Sequence, residues 1–219
     1  MLIVIHLKAV TVSSPRLSFI NTSTLQNSFD VLISSFIDNK VGIADDFLSK
    51  QLASDLKNNL KSLFKRDQLR SAGTGNETVE HNKLFRSDMI HWLDRKNNNE
   101  HENKFFDLID QFISYLNETC YTGIKNYEFH YTLYPAGSFY KKHIDQFRNN
   151  DSRKFSMIFY LNENWDANDG GELCIYHADE SQNISPENRK GVFFESSELE
   201  HEVLLVNKPR MSITGWLKL

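Results

Sequence analysis

The sequence predicts an α+β fold in which N-terminal helices pack on one sheet of a double-sheet jelly roll. Up to residue 120 of the 219-residue chain, apolar residues recur mainly at the spacing of amphipathic helices. From residue 127 onward, the sequence changes to short segments rich in β-branched and aromatic residues, separated by clusters of Gly, Asn, Asp, Pro or Ser. Helices followed by closely spaced strands are typical of an α+β chain with stacked antiparallel sheets.

Three segments carry an apolar stripe at helical spacing. The first is 25–37, and the second is 45–64, which opens on an acidic pair that resembles a helix cap. The third is 104–120, with a broad apolar face. Between them, segment 84–94 predicts a strand with an aromatic anchor, which ends at the asparagine cluster 97–99.

The second half of the chain predicts at least six strands. Their bounds are 127–134, 153–162, 172–176, 191–195, 201–206 and 211–219. Two polar segments, 73–83 and 147–152, lack periodicity and are candidates for a lid that closes over a substrate.

Composition excludes several classes of protein. The net charge is -4 with acidic and basic residues intermixed, so we expect neither a nucleic-acid partner nor a membrane-binding face. No stretch approaches the roughly 20 apolar residues that cross a bilayer, and the apolar start at residues 1–8 lacks the features of a signal peptide. Two cysteines without metal-type spacing predict a reduced, cytoplasmic setting.

A His-x-Asp pair stands where a predicted strand gives way to a polar loop. Residues two apart on an extended backbone point the same way, so His143 and Asp145 present an imidazole and a carboxylate to one point. His201, at the start of a later apolar strand, is the candidate third ligand. Two histidines and one carboxylate leave three positions of an octahedral ion open, which is the pattern of non-haem Fe(II) oxygenases.

A second His-x-Asp pair, His177 with Asp179, competes with the first. It runs directly into the polar stretch 180–183, which we interpret as a solvated loop. We therefore favour His143 and Asp145 as the metal ligands.

Arg210 follows the turn 207–209, nine residues after His201. A hairpin at this turn would place Arg210, Ser212 and Thr214 beside the strand that carries His201. A guanidinium buried there needs an anion, such as a dicarboxylate that reaches inward from the metal. An arginine after a turn is by itself more often a surface residue, and the nearby candidate ligands make the buried interpretation preferable.

These residues belong to an ordered set of motifs that resembles a known family. The motifs are Tyr134-Pro135, His143-Ile144-Asp145, Tyr160-Leu161-Asn162, Trp165-Asp166-Ala167, Gly170-Gly171-Glu172-Leu173, Phe193-Phe194, His201-Glu202-Val203 and the strand from Arg210 to Trp216. Together they look like the 2-oxoglutarate and Fe(II)-dependent oxygenases, specifically the prolyl hydroxylase branch with animal oxygen sensors and bacterial relatives. The resemblance covers 43–219, which we expect to be the oxygenase domain, with 1–42 as a strand and helix extension of the same compact unit.

The resemblance implies a double-stranded β-helix and a set of roles for individual residues. Iron would be held by His143, Asp145 and His201, and Arg210 would pair with the distal carboxylate of 2-oxoglutarate. The implied neighbours of this co-substrate are Tyr134, Tyr160, Thr214 and the pocket residue Leu173. The implied cofactors and co-substrates are Fe(II), 2-oxoglutarate and O2, with ascorbate in addition. His130 receives no role, and we expect it to be a core histidine.

The implied reaction is hydroxylation of a prolyl residue in a protein, coupled to decarboxylation of 2-oxoglutarate to succinate and CO2. A translation factor is one protein substrate that the resemblance allows. Three alternatives stay open: a free amino acid or other small molecule as substrate, nucleic-acid demethylation, and a non-catalytic binding module. The acidic net charge argues against the second, and the presence of all three ligand residues argues against the third.

Overall fold

A computed structural model describes residues 22–73, 84–145 and 152–219, and within these ranges the chain forms three α-helices and eleven strands. The helices are α1 Thr22–Asn39, α2 Lys50–Lys65 and α3 Glu100–Cys120. The strands are β1 Val41–Ala44, β2 Arg70–Ser71, β3 Met89–Trp92, β4 Asn126–Tyr134, β5 Tyr140–His143, β6 Arg153–Tyr160, β7 Leu173–Tyr176, β8 Ser181–Ile184, β9 Gly191–Glu195, β10 Glu200–Val203 and β11 Arg210–Lys218. None of the described helices is long and apolar enough to cross a membrane.

The strands form two antiparallel sheets that face each other. The larger sheet has seven strands in the order β1-β9-β6-β11-β4-β3-β2, and the smaller has four in the order β5-β10-β7-β8. One buried cluster, which includes Ile158, Leu173 and Val203, fills the space between the sheets. A second cluster joins the three helices to the outer face of the larger sheet. The predicted α+β class, with helices packed on one of two stacked sheets, is confirmed.

The helices occur where the apolar stripes predict them, but the predicted start of the second helix is wrong. The cap of α2 is Ser49, whose hydroxyl accepts a hydrogen bond from the Leu52 N–H at 3.2 Å. The acidic pair lies in a turn before the helix, where Asp46 forms an ion pair with Arg189 at 2.7 Å. Helix α3 begins four residues earlier than predicted because the Asn99 side chain caps its first turn.

Two strand predictions also need correction. The polar stretch that follows His177 is not a loop, because Ser181–Ile184 forms β8 and pairs with β7 through the whole length of both strands. Three of its four residues are polar and only Ile184, at its end, is buried. It is therefore an edge strand whose sequence lacks the apolar residues by which strands are predicted. The strand predicted over 84–94 is shortened to β3, Met89–Trp92.

The predicted hairpin between His201 and Arg210 is wrong. Strand β10 belongs to the smaller sheet, whereas β11 lies in the larger sheet between β6 and β4. After Val203 the backbone turns away to bond with neighbouring loops: Leu204 N–H donates to the Glu172 carbonyl and Val206 N–H to the Ser138 carbonyl, each at 3.0 Å. Arg210 therefore faces the His201 strand from the opposite sheet.

Several predictions fall on residues that the structure does not describe. The proposed lid segments lie outside the described residues except for Gly73 and Ser152, and so does the apolar start of the chain. Of the predicted extension 1–42, the described part consists of α1 and the beginning of β1. Phe29 and Leu32 of α1 belong to the same buried cluster as α2 and α3.

Candidate metal centre and anion site

The smaller sheet brings the two candidate histidine ligands together with the carboxylate. His143 ends β5 and is the register partner of His201 in β10, while Asp145 lies in the bend that follows β5. The Asp145 carboxylate oxygens are each 3.6 Å from a histidine Nε2, Oδ1 from His143 and Oδ2 from His201. The three ligand atoms all lie within 4.8 Å of one another, and no other such group of three occurs among the described residues. This arrangement can hold one metal ion.

Backbone carbonyls fix the orientation of both imidazoles. His143 Nδ1 lies 2.7 Å from the Lys141 carbonyl, and His201 Nδ1 lies 3.0 Å from the Leu199 carbonyl. A carbonyl only accepts, so each Nδ1 carries the hydrogen and each Nε2 keeps its lone pair for a metal. Such outer contacts are what hold metal-binding histidines in a productive tautomer.

The protonation states of His201 and Asp145 are also those that metal binding requires. Burial lowers the pKa of His201 to about 4, and although the Asp145 charge acts in the opposite direction, the imidazole is neutral near neutral pH. Burial opposes ionisation of Asp145, but the two histidines and a hydrogen bond from Ser156 outweigh it and lower the pKa of this carboxyl. A neutral imidazole beside an ionised carboxylate is the state in which both are ligands.

Ser156, which the sequence analysis did not single out, supports the carboxylate from the larger sheet. Its hydroxyl donates to Asp145 Oδ2 at 2.7 Å and lies 2.9 Å from the hydroxyl of Ser196. Both serines are fully buried. Alternation along β6 could have identified it, because Ser156 shares the inward face with Ile158 and Tyr160.

Arg210 forms the second part of the site on the facing sheet. It is 1% exposed, and its guanidinium carbon lies 5.1 Å from the Tyr134 ring centre and 4.9 Å from that of Tyr160. Within the described ranges, Nε and Nη2 of Arg210, the Tyr160 hydroxyl and the Ser212 hydroxyl are buried without a hydrogen-bond partner. Burial raises the pKa of Tyr160, with Arg210 acting weakly the other way, so the phenol stays protonated and can donate. A buried cation surrounded by unused donors requires an anion, and a carboxylate fits it.

The glycine pair in the predicted motif makes room for this arginine. A Cβ on Gly171 would come within 3.1 Å of Arg210 Cδ and 3.0 Å of Val206 Cγ2, and its φ of +69° is itself unfavourable for other residues. A Cβ on Gly170 would meet the Leu205 carbonyl oxygen at 2.2 Å. Trp165 holds this turn from outside by donating its indole N–H to the Gly170 carbonyl at 3.0 Å.

One cavity of about 800 Å³ connects the two parts. Of the predicted site residues, it is lined by Tyr134, His143, Asp145, Leu173, His201, Arg210 and Thr214. Tyr160 is not among the residues that line it, although its ring packs against the Arg210 guanidinium. His130 is 3% exposed, as expected of a core histidine, yet it also lines this cavity. The rival pair does not line this cavity: the His177 ring lies 3.4 Å from the Gln182 side-chain oxygen in the β7–β8 hairpin, and Asp179 is exposed.

Two histidines and a carboxylate with a buried anion site in the same cavity, between the sheets of a jelly roll, define the class of non-haem iron oxygenases. Comparison with known proteins gives the family. Residues 129–218 match the 2OG-Fe(II) oxygenase superfamily. This family implies Fe(II), 2-oxoglutarate and O2 as cofactor and co-substrates.

The relatives and solved structures that match include prolyl hydroxylases. The chain is 28% identical over 191 residues to Egl nine homolog 1 of Homo sapiens, covering 81% of this chain and 44% of that protein. It is 33% identical over 166 residues to the hypoxia-inducible factor prolyl hydroxylase of Caenorhabditis elegans, covering 71% of this chain and 22% of that protein. The chain thus spans about half or less of the length of these curated relatives.

A crystal structure of a Pseudomonas putida prolyl-4-hydroxylase matches with a TM-score of 0.80 and 29% identity, covering 87% of this chain and 99% of that one. A Trichoplax adhaerens prolyl hydroxylase in complex with a hypoxia inducible factor peptide fragment has the same fold, with a TM-score of 0.80 at 22% identity and coverage of 93% and 94%. The chain therefore contains a 2OG-Fe(II) oxygenase domain with the double-stranded β-helix fold of prolyl hydroxylases.

Proposed function

We propose that this chain is an Fe(II)- and 2-oxoglutarate-dependent dioxygenase that hydroxylates a prolyl residue of a protein, with release of succinate and CO2. The observation that carries the proposal is the joint placement of the histidine–carboxylate group and the unpaired Arg210 in one cavity. Either feature alone occurs in many proteins. Together they match a metal and a dicarboxylate that must bind side by side.

In this proposal each sheet has its own task. His143, Asp145 and His201 hold Fe(II), which when bound activates O2 at the expense of 2-oxoglutarate. Arg210 binds the distal carboxylate of the co-substrate, and Tyr160, whose ring packs against the guanidinium, is a neighbour of the same group. Tyr134 and Thr214 border the co-substrate, and Leu173 gives the cavity an apolar wall that excludes water from it.

The charges around the cavity favour a peptide over a free amino acid. Three further arginines line the cavity. Arg86 is paired with Asp88 at 2.7 Å and Arg153 with Glu128 at 2.8 Å, whereas the exposed Arg70 donates to the Asp67 and Leu69 carbonyls. A free amino acid needs partners for its own carboxylate and ammonium, which these ion pairs do not offer. A prolyl residue within a chain carries no charge and is recognised through shape and backbone contacts.

Further parts of the proposal rest on the likeness to prolyl hydroxylases and on composition. That likeness supports ascorbate as an additional cofactor and leaves a translation factor among the candidate protein substrates. Cys120 and Cys174 are both free, which agrees with a reducing, cytoplasmic setting. We also keep the division into an extension, 1–42, and an oxygenase domain, 43–219, within one compact unit.

The test is anaerobic reconstitution with Fe(II) and 2-oxoglutarate, followed by exposure to O2 and measurement of succinate across a panel of proline-containing peptides. We expect at least one peptide to raise succinate formation above the uncoupled level and to gain one oxygen atom. His201→Ala should abolish both signals, whereas His177→Ala, in the rival His-x-Asp pair, should retain them. Turnover of free proline but of no peptide would favour the small-molecule alternative, and full activity of His201→Ala would refute the metal assignment.

A further inference from the structure

His130 lies in the wall of the cavity, and the proposed function leaves it without a task. It belongs to β4, and its ring packs against two indoles, 4.9 Å from the ring centre of Trp92 and 5.7 Å from that of Trp216. Burial lowers its pKa to about 4, so this imidazole is neutral near neutral pH. A neutral histidine has one N–H, and the position of that hydrogen decides what the ring can do.

The neighbouring backbone fixes the hydrogen on Nδ1. This atom lies 3.2 Å from the Tyr131 carbonyl oxygen and 3.0 Å from Thr132 Oγ1. A carbonyl oxygen only accepts, so a lone pair on Nδ1 would face another lone pair, and the Nδ1–H tautomer is the favourable one. Nδ1 is then a donor to Thr132 as well.

The Nδ1–H of His130 also determines the direction of a hydrogen bond to the next strand. Because Thr132 Oγ1 accepts from Nδ1, its own hydrogen is available for Thr214 Oγ1, which lies 3.4 Å away on β11. The two hydroxyls lie on neighbouring strands, in which Thr214 pairs with His130 and Ser212 with Thr132. Thr214 lines the cavity, and within ranges 22–73, 84–145 and 152–219 its hydroxyl hydrogen has no protein acceptor. Its hydrogen is therefore left for a ligand.

We propose that His130 is a positioning residue that, through Thr132, holds the Thr214 hydroxyl as a hydrogen-bond donor towards an oxygen atom bound beside the metal site. The proposal rests on the proposed function and deepens it, because it assigns the residue that orients one wall of the co-substrate pocket. The acceptor chemistry is that of a ligand oxygen, and it has two possible sources: 2-oxoglutarate itself or a water molecule on the metal.

Binding to the Mn(II)-loaded protein, which is measured without turnover, tests the chain of hydrogen bonds. His130→Phe keeps a ring against the two indoles but removes the donor, and Thr132→Val keeps the shape but removes the hydroxyl. Each should weaken 2-oxoglutarate binding by roughly three- to tenfold, the effect of one hydrogen bond. The matched controls are Thr132→Ser, which keeps the hydroxyl, and His130→Asn, whose amide N–H takes the place of Nδ1–H, and both should bind within about threefold of wild type.

Two further measurements distinguish a loss of Thr214 hydroxyl orientation from a general disturbance of the structure. The double variant His130→Phe/Thr132→Val should bind no more weakly than either single variant, because both interrupt the same chain. If the acceptor is metal-bound water, the same variants should instead change the water relaxation of the Mn(II) protein before 2-oxoglutarate is added. Additive losses, or His130→Asn no better than His130→Phe, or no change in either measurement, would overturn the proposal.

Nitrogen NMR of the histidine side chains, recorded on the metal-free protein, tests the tautomer independently of any ligand. We expect the hydrogen of His130 to lie on Nδ1. We also expect Thr132→Val and Thr132→Ser to have similar melting temperatures, because the hydrogen bonds orient a hydroxyl and contribute little to stability. A hydrogen on Nε2 would refute the relay even if 2-oxoglutarate binds. Failure of the wild type to bind 2-oxoglutarate with metal would refute the proposed function instead, and the NMR result would still decide the relay.

Discussion

Arg210 should have opposite effects on ligand binding and on the stability of the empty protein. In the absence of an anion, the guanidinium is a buried cation, and two of its nitrogens have no hydrogen-bond partner among the described residues, which costs folding free energy. Arg210→Met replaces it with an apolar side chain of similar length, so the free energy of unfolding of the empty protein should not fall, and an increase of about 1 to 4 kcal/mol is in the usual range. Binding of 2-oxoglutarate should be lost, because its distal carboxylate would then be buried without a counter-charge.

The size of the loss follows from the cost of breaking a buried charge pair. That cost is about 3 to 5 kcal/mol, which corresponds to roughly a 150- to 5,000-fold increase in Kd. Arg210→Lys keeps the charge but loses the planar fork, and it should lie between the wild type and Arg210→Met.

The assay is calorimetric titration of 2-oxoglutarate into the Mn(II)-loaded protein, alongside thermal unfolding of the empty protein. Arg95→Ala is the matched control, because Arg95 forms ion pairs with Asp107 and Asp110 at the surface and should leave the Kd unchanged. Metal affinity should survive in every variant, since Arg210 is on the sheet opposite the histidines. An unchanged Kd in Arg210→Met would refute the anion-site assignment, and a large loss of stability in the empty protein would refute the argument about the unpaired charge.

Three further predictions concern residues around the site. Ser156→Ala removes the hydrogen bond to Asp145 Oδ2 and should weaken metal binding by roughly 10- to 100-fold with little change in fold, as measured by titration with Fe(II) under anaerobic conditions. Gly171→Ala should weaken 2-oxoglutarate binding and lower the melting temperature, because the added Cβ crowds Arg210 Cδ; wild-type values for both would contradict the packing argument. His130 should make the metal-free protein less stable as pH falls from about 6.5 to about 4, since the unfolded chain takes up the proton first, and His130→Phe should flatten this part of the pH profile of the free energy of unfolding.

The sequence predicted those features of the site that depend on alternation along a single strand. His143 and Asp145 are two residues apart, so the sequence predicts that they point to one place. The structure brings them together, although Asp145 lies in the bend that follows β5. The helices were predictable for a similar reason, because their apolar stripes pack on one sheet.

Predictions failed where the deciding contact lies far away in the chain. Asp45 resembles a helix cap, but Phe47 and Leu48 are buried in the core before the helix begins, and Ser49 is the residue that caps it. The hairpin prediction for Arg210 assumed that strands adjacent in sequence pair with each other, whereas the backbone after Val203 bonds to loops and the chain crosses between the sheets. Alternation along β6 predicts that Ser156 points inward, but its role was missed because only the structure shows that Asp145 lies beside it.

The chain crosses from the smaller to the larger sheet between β10 and β11, so the metal ligands and Arg210 lie on different sheets. The metal ligands come from the smaller sheet and its following bend, and Arg210 comes from the larger sheet, so no single strand fixes the distance between metal and anion site. That distance is set by the apolar residues packed between the sheets, among them Ile158, Leu173 and Val203, which also line the cavity. Close packing allows little adjustment, so the space left for a ligand has a defined length. In the proposed function, the interior cluster is the spacer that matches the cavity to a ligand with an acid group at each end.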